Sequence, residues 1–235
     1  MTPPAVYMYR PGESMYNAIR PTKMASDPIE DYICGHIDTE PEALKRIYRD
    51  TNMYQLYPRM CSGHLQGRVL RMLTQMISPR RVLELGTFTG YSALCMAEGM
   101  APDGHLWTVE IDDEMEELIQ GYFNASPWKD RIHLVIGDAL EKVPELGDGP
   151  WDLVLIDANK RLYTEYYEMI LPRVRKGGYI LADNTLWDGK VTRPDECRDA
   201  QTKSIIAFND LVASDTRVEK VILPLRDGLT LIRKI

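Results

Sequence analysis

Asp157 and Lys160 stand three residues apart just after one apolar run, and the pair Asp183-Asn184 follows the next such run. A carboxylate and an amine at that spacing form either a solvated ion pair, worth little, or part of a site. Asp-Asn after a strand is, in the same way, ordinary turn chemistry. Together the four residues favour a site. Asp157 and Asp183-Asn184 close successive strands, so chain order alone places three oxygen ligands at one sheet edge. Such donors suit a hard divalent ion such as Mg²⁺, Ca²⁺ or Mn²⁺. A cation there would stabilise the oxyanion of a hydroxyl whose ordinary pKa is about 10. Lys160 beside it would accept the departing proton.

The loop Glu84-Leu85-Gly86-Thr87-Phe88-Thr89-Gly90-Tyr91-Ser92 follows the first apolar run. Gly86 and Gly90 let a ligand approach the backbone, and a helix beginning near Gly90 points free N–H groups at it; a plain tight turn has the same residues. The dinucleotide pattern G-x-G-x-x-G is absent, because Phe88 occupies the place of its second glycine. Glu84 would repel a diphosphate but not a cation. Glu110, at the end of the second run, is placed to accept ribose hydroxyls. These features imply a positively charged nucleoside, a description that S-adenosylmethionine fits.

These groups need a scaffold that brings strand ends together. Short apolar runs recur at Val82–Leu85, Leu106–Val109, Ile132–Ile136, Leu153–Ile156 and Tyr179–Ala182, separated by stretches of helical period. That alternation predicts an α/β fold with a doubly wound, mostly parallel sheet covered on both faces. Val218–Leu225, an Asp227-Gly228 turn and Leu229–Ile232 predict an antiparallel C-terminal hairpin, making seven strands. Residues 1–26 hold Pro3, Pro4, Pro11 and Pro21 without a sustained period and read as an irregular arm, whose Tyr7, Tyr9 and Tyr16 are free to dock elsewhere. A single domain is expected over 27–235, with N-terminal helices to residue 78 and the α/β core from 79. Its first helix is read from an Asp27 cap with Pro28 behind it and a stripe of Ile29, Ile33 and Ile37.

Composition sets outer bounds. The chain has 235 residues, 44% of them hydrophobic, and a formal charge of −7, so there is no global field to draw in polyanions. Cys34, Cys61, Cys95 and Cys197 lie far apart with no Cys-x-x-Cys, which argues against a zinc site or disulfide scaffold and fits a reducing, cytoplasmic setting. No run approaches a membrane span.

The segment from Val82 to Ser92 closely resembles the first motif of the class I, cation-dependent O-methyltransferases of the catechol and caffeoyl-coenzyme A type. Met60-Cys61-Ser62, Ile136-Gly137-Asp138-Ala139, Leu155-Ile156-Asp157-Ala158-Asn159-Lys160 and Asp183-Asn184-Thr185-Leu186-Trp187 resemble further motifs of that family in the same order. The resemblance runs from about residue 28 to the C-terminus. It implies a Rossmann-like methyltransferase that binds S-adenosylmethionine through Met60, Ser62, Glu84, Gly86, Ser92, Glu110, Asp138, Ala139 and Asp157. It also implies a metal on Asp157, Asp183 and Asn184, catalysis by Lys160 with Asp157, and an aromatic acceptor against Trp187 and Lys160. Family members often carry Asp where Asn159 stands, and Cys61 is unusual between Met60 and Ser62. Relatives commonly form homodimers.

A catechol-like or hydroxycinnamoyl small molecule is the expected acceptor, with specificity in the N-terminal arm and in residues 187–199, where Lys190 and Arg193 supply positive charge. Some bacterial relatives of the same fold instead methylate a hydroxylated uridine in transfer RNA, and Arg161, Arg173, Arg175 and Lys176 could form a patch for it. Rivals from other classes are a non-catalytic nucleotide-binding α/β domain and an NAD-dependent dehydrogenase. The simultaneous presence of Asp157, Lys160, Asp183 and Asn184 speaks against the first, and the missing glycine against the second.

Overall fold

The computed structural model describes residues 28–147, 149–196 and 199–235. The arm over 1–26, the Asp27 cap and Cys197 lie outside them. The described residues fall into two units, one ending at Ile37 and one running Asp38–Ile235. In the first, α1 (Pro28–Cys34) buries none of its residues. The expected stripe is therefore not a packed face: Ile29 is exposed, and the helix ends before Ile37 is reached.

The second unit opens with α2 (Glu42–Tyr54), which buries Leu44, Ile47 and Thr51, and α3 (Gly63–Ile77), which buries Leu70 and Thr74. Ser78 then turns into the left-handed region, and Pro79 follows, so the helix stops where the sheet begins. Strands β1 (Arg81–Leu85), β2 (His105–Glu110), β3 (Ile132–Ile136), β4 (Trp151–Ile156) and β5 (Val174–Ala182) alternate with α4 (Tyr91–Gly99), α5 (Glu116–Asn124), α6 (Ala139–Glu145) and α7 (Tyr163–Ile170). α8 (Ala200–Ser214) leads to β6 (Val218–Leu223) and β7 (Leu229–Lys234). The seven strands lie in the order β3-β2-β1-β4-β5-β7-β6. The C-terminal hairpin forms as expected, and β7 inserts between β5 and β6, antiparallel to both.

Two apolar layers cover the sheet. Leu44, Ile47, Leu70, Leu94 and Phe123 pack with Val82 and Leu155 on one side, and Val143, Tyr163, Tyr167 and Phe208 pack with Leu83 and Val154 on the other. The chain leaves β1 towards β2 and β3, then returns to β4 on its other flank, so the topological switch lies between the carboxyl ends of β1 and β4. None of the described helices is long and apolar enough to cross a membrane.

Candidate active site

At that switch the loops interlock. Gly86 N donates to Val109 O at 3.0 Å, Asp157 N to Leu85 O at 2.8 Å and Asp183 N to Ile156 O at 3.0 Å, so the ladder continues one residue beyond the strands. Gly86 has φ 96°, and a Cβ there would collide with the carbonyl of Asp157, which makes glycine the residue that lets β1 and β4 close together. Gly90, at φ 81°, lies against the ring of Phe123 in the same way.

The acidic groups have distinct surroundings. Glu84 points into the apolar layer under α4, fully buried, and accepts from Ser92 Oγ and Thr108 Oγ1, each at 2.5 Å. Burial pushes its carboxyl up to about 8 against the pull of those two hydroxyls. Glu110 Oε2 accepts from the backbone N–H groups of Thr87 at 3.1 Å and Phe88 at 2.7 Å, and Oε1 from Asp112 N at 3.0 Å. Of the roughly four acceptor positions on a carboxylate, these three bonds leave one on Oε1. Asp138 Oδ1 caps α6 by accepting from Leu140 N at 2.8 Å, which fixes the buried Ala139 at the end of β3.

One strand over lies the catalytic candidate. Lys160 Nζ donates to Asp157 Oδ1 at 2.5 Å and to Tyr163 Oη at 2.7 Å. Tyr163 is buried and donates in turn to Asp183 O at 3.0 Å and Ile156 O at 3.2 Å. Asn159 caps the short turn that carries Lys160, its Oδ1 accepting from Arg161 N at 3.1 Å; here an amide does the work at the position where the family often has a carboxylate. Burial raises Asp157 to about 6; Lys160 opposes that rise and Asp183 adds to it. Asp183 Oδ1 accepts from Asn184 N at 2.8 Å, and Oδ2 from Gln66 Nε2 at 2.7 Å. Asn184 sits at φ 55°, a conformation asparagine tolerates.

Around these groups Ser62 is buried and Met60 exposed. Trp187 is half-buried against the second apolar layer, with Lys190 Nζ 5.6 Å from the centre of its ring. Cys61 is a buried thiol pushed up to about 11 by desolvation, a packing residue rather than a nucleophile. Of the six non-glycine residues with positive φ among the described residues, five, namely Phe88, Asn184, Trp187, Asp188 and Arg226, lie at this edge of the sheet, where strain commonly collects around sites.

Among the described residues no group of three His, Cys, Asp or Glu could hold a metal ion, but Asp157, Lys160, Asp183 and Asn184 are brought to one edge of the sheet. The basic residues are not. Arg161 follows β4 at the site edge, whereas Arg173, Arg175 and Lys176 lie at the opposite end of β5, where Arg175 Nε is 2.5 Å from Asp152 Oδ1. Parallel pairing of β4 with β5 sends the two groups to opposite rims of the sheet. Sequence reasoning missed Tyr163, Gln66 and Arg226. Tyr163 carried a faint signal in its three-residue spacing from Lys160; the other two reach the site across more than a hundred residues.

A lysine, carboxylates and a glycine turn thus gather at the switch point of a doubly wound sheet, where such folds bind their ligands. The chain matches the O-methyltransferase family model over residues 35–235 and belongs to that family. It is similar to caffeoyl-CoA O-methyltransferase 2 of Zea mays, 33% identical over 90% of this chain and 84% of that one. O-methyltransferase ankF of Aspergillus thermomutatus is also 33% identical, over 93% of this chain and 98% of its own. The O-methyltransferase TomG of Streptomyces achromogenes, solved with SAM, superposes with TM-score 0.81 at 29% identity, covering 88% of this chain and 95% of that one. The SAH-bound methyltransferase PaMTH1 of Podospora anserina gives TM-score 0.81 at 26% identity, over 98% of this chain and all of its own.

Proposed function

We propose that this protein transfers the methyl group of S-adenosylmethionine to a hydroxyl of a catechol-like or hydroxycinnamoyl small molecule, with a divalent cation and with Lys160 as the base. The observation that carries the reading is the Lys160–Asp157–Tyr163 cluster beside Asp183, one strand from the Gly86 turn. The cofactor would lie along the ends of β1, β2 and β3, with Ser62, Gly86 and Ser92 at its amino-acid end, Glu110 at the ribose and Asp138-Ala139 at the adenine. Glu84 acts from behind Ser92 as a buried counter-charge.

Asp157, Asp183 and Asn184 offer only oxygen donors, from adjacent strand ends, and oxygen donors are what Mg²⁺, Ca²⁺ or Mn²⁺ takes. Asp157, Asp183 and Asn184 would hold the ion, which supplies charge that stabilises an ionised hydroxyl. The chain's own residues handle the proton and the alignment. In the reaction Lys160, having first given its ammonium proton to solvent, takes the acceptor O–H proton on Nζ, the oxygen forms a bond to the methyl carbon, and the carbon–sulfur bond breaks to leave a neutral thioether. Tyr163 Oη fixes the amine, and Gln66 holds Asp183. Such positioning contributes several kcal/mol. Trp187 walls an aromatic acceptor.

Self-association belongs to the reading, supported by Val221 and Ile222, which are 52% and 42% exposed on edge strand β6. A cytoplasmic setting suits the buried thiols of Cys61 and Cys95. The test is a screen with labelled S-adenosylmethionine, Mg²⁺ and hydroxylated acceptors that include caffeate, catechol and hydroxylated transfer RNA. Methylated small phenols that vanish with EDTA support the reading. Methylation of transfer RNA alone, or activity undiminished by EDTA, contradicts it.

A further inference from the structure

One arginine outside the reacting groups ties the two sides of the site together. Arg226 lies in the turn between β6 and β7 with φ 48°, a left-handed backbone for a residue with a side chain. Its Nη1 donates to Cys61 O at 2.9 Å, to Ser62 O and to Gln66 Oε1 at 3.4 Å, and its Nη2 donates to Arg59 O at 3.3 Å. Three of these acceptors are carbonyls of the segment that carries Met60 and Ser62. The fourth belongs to the amide whose Nε2 donates to Asp183 Oδ2 at 2.7 Å. A planar guanidinium with five N–H donors can serve convergent acceptors in a way that the single ammonium of lysine does not.

Resting on the proposed function, we infer that Arg226 is a positioning residue. It holds the 59–62 segment on the cofactor side and, through Gln66, the Asp183 carboxylate on the cation side. It touches no reacting atom. The strained backbone presents a side chain whose partners all lie 160 or more residues away in the chain, and an outlier of that kind at a site edge is where strain serves function.

Two binding measurements without turnover test this. One is calorimetric binding of adenosylhomocysteine without metal; the other is Mn²⁺ binding without cofactor, followed by the paramagnetic resonance of the free ion. Arg226→Gly removes the guanidinium and the left-handed strain together, so it isolates the side chain from the fold. It is expected to weaken adenosylhomocysteine about tenfold, the loss of hydrogen bonds made by a charged group, and Mn²⁺ about tenfold, as outer-shell substitutions do. Its melting temperature should stay within a few degrees of wild type. Gln66→Leu is expected to weaken Mn²⁺ and leave adenosylhomocysteine unchanged, and Arg226→Lys to recover neither affinity in full. Wild-type affinities in Arg226→Gly overturn the inference, and so does a lowered melting temperature with both affinities intact. Wild-type protein that binds neither ligand overturns the functional reading itself, an outcome the wild-type titration separates from failure of Arg226 alone.

Discussion

Occupancy of the cofactor site should be linked to the ionisation of Glu84. Burial lifts this carboxyl from an ordinary value near 4.5 to about 8, so at pH 7 the neutral acid prevails before a cationic ligand binds. Because the folded-state value is raised, the stability that Glu84 contributes is full below about pH 4.5 and is lost as pH rises towards 8. A ligand ammonium arriving at Ser92 favours the carboxylate and reverses that preference. Binding at pH 7 then releases close to one proton, and affinity is masked about tenfold at pH 7 and about a hundredfold at pH 6. An α-amino group with an ordinary value of about 7.7–8.0 stays largely protonated across that window, so the ligand adds little of its own. Calorimetric titration with adenosylhomocysteine, at pH 6 and 7 in buffers of different ionisation enthalpy, counts the protons directly. Binding should be about tenfold tighter at pH 7 than at pH 6, and Glu84→Gln should abolish both the proton release and the pH dependence. A wild-type protein that releases no proton and binds equally at the two pH values would refute the reasoning.

Further outcomes follow from the same geometry. Lys160→Met should lower kcat by about 10²–10⁴ while leaving the Kd for adenosylhomocysteine unchanged, the mark of a proton acceptor rather than a binding group. Tyr163→Phe deletes the hydroxyl shared by Lys160, Ile156 O and Asp183 O. It should cost about 1–3 kcal/mol in urea unfolding and slow turnover without changing cofactor affinity. Gly86→Ala forces a side chain against the Asp157 carbonyl at φ 96°; it should destabilise by at least about 2 kcal/mol and abolish adenosylhomocysteine binding. EDTA should remove activity while adenosylhomocysteine still raises the melting temperature, and Mn²⁺ should restore turnover.

The elements most visible in the sequence are those whose burial is uniform. Leu153–Ile156 and Val82–Leu85 read as core strands because both faces are covered, and the structure buries them completely. The hairpin announced itself through Asp227-Gly228, but nothing local indicates that β7 would pair with β5 on one side and β6 on the other. The stripe of Ile29, Ile33 and Ile37 announced a helix, which forms over Pro28–Cys34, but periodicity reports an apolar face without supplying a partner for it, and the helix buries none of its residues. The placement of Asp157, Lys160, Asp183 and Asn184 at one sheet edge was legible because each follows a strand end, where chain order fixes place. Gln66 and Arg226 were not. They are ordinary polar residues on α3 and in a turn, and only tertiary contact gives them a role. The proposed basic patch failed for the converse reason, since Arg161 and Arg175 flank one helix in sequence yet occupy opposite rims of the sheet.

The central claim is that oxygen donors from β4 and β5 hold a divalent ion within reach of Lys160. Anomalous diffraction from crystals grown with Mn²⁺ and adenosylhomocysteine tests it most directly. One strong peak bounded by Asp157, Asp183 and Asn184 is expected. A map with no peak there, or with manganese bound elsewhere on the chain, would contradict it.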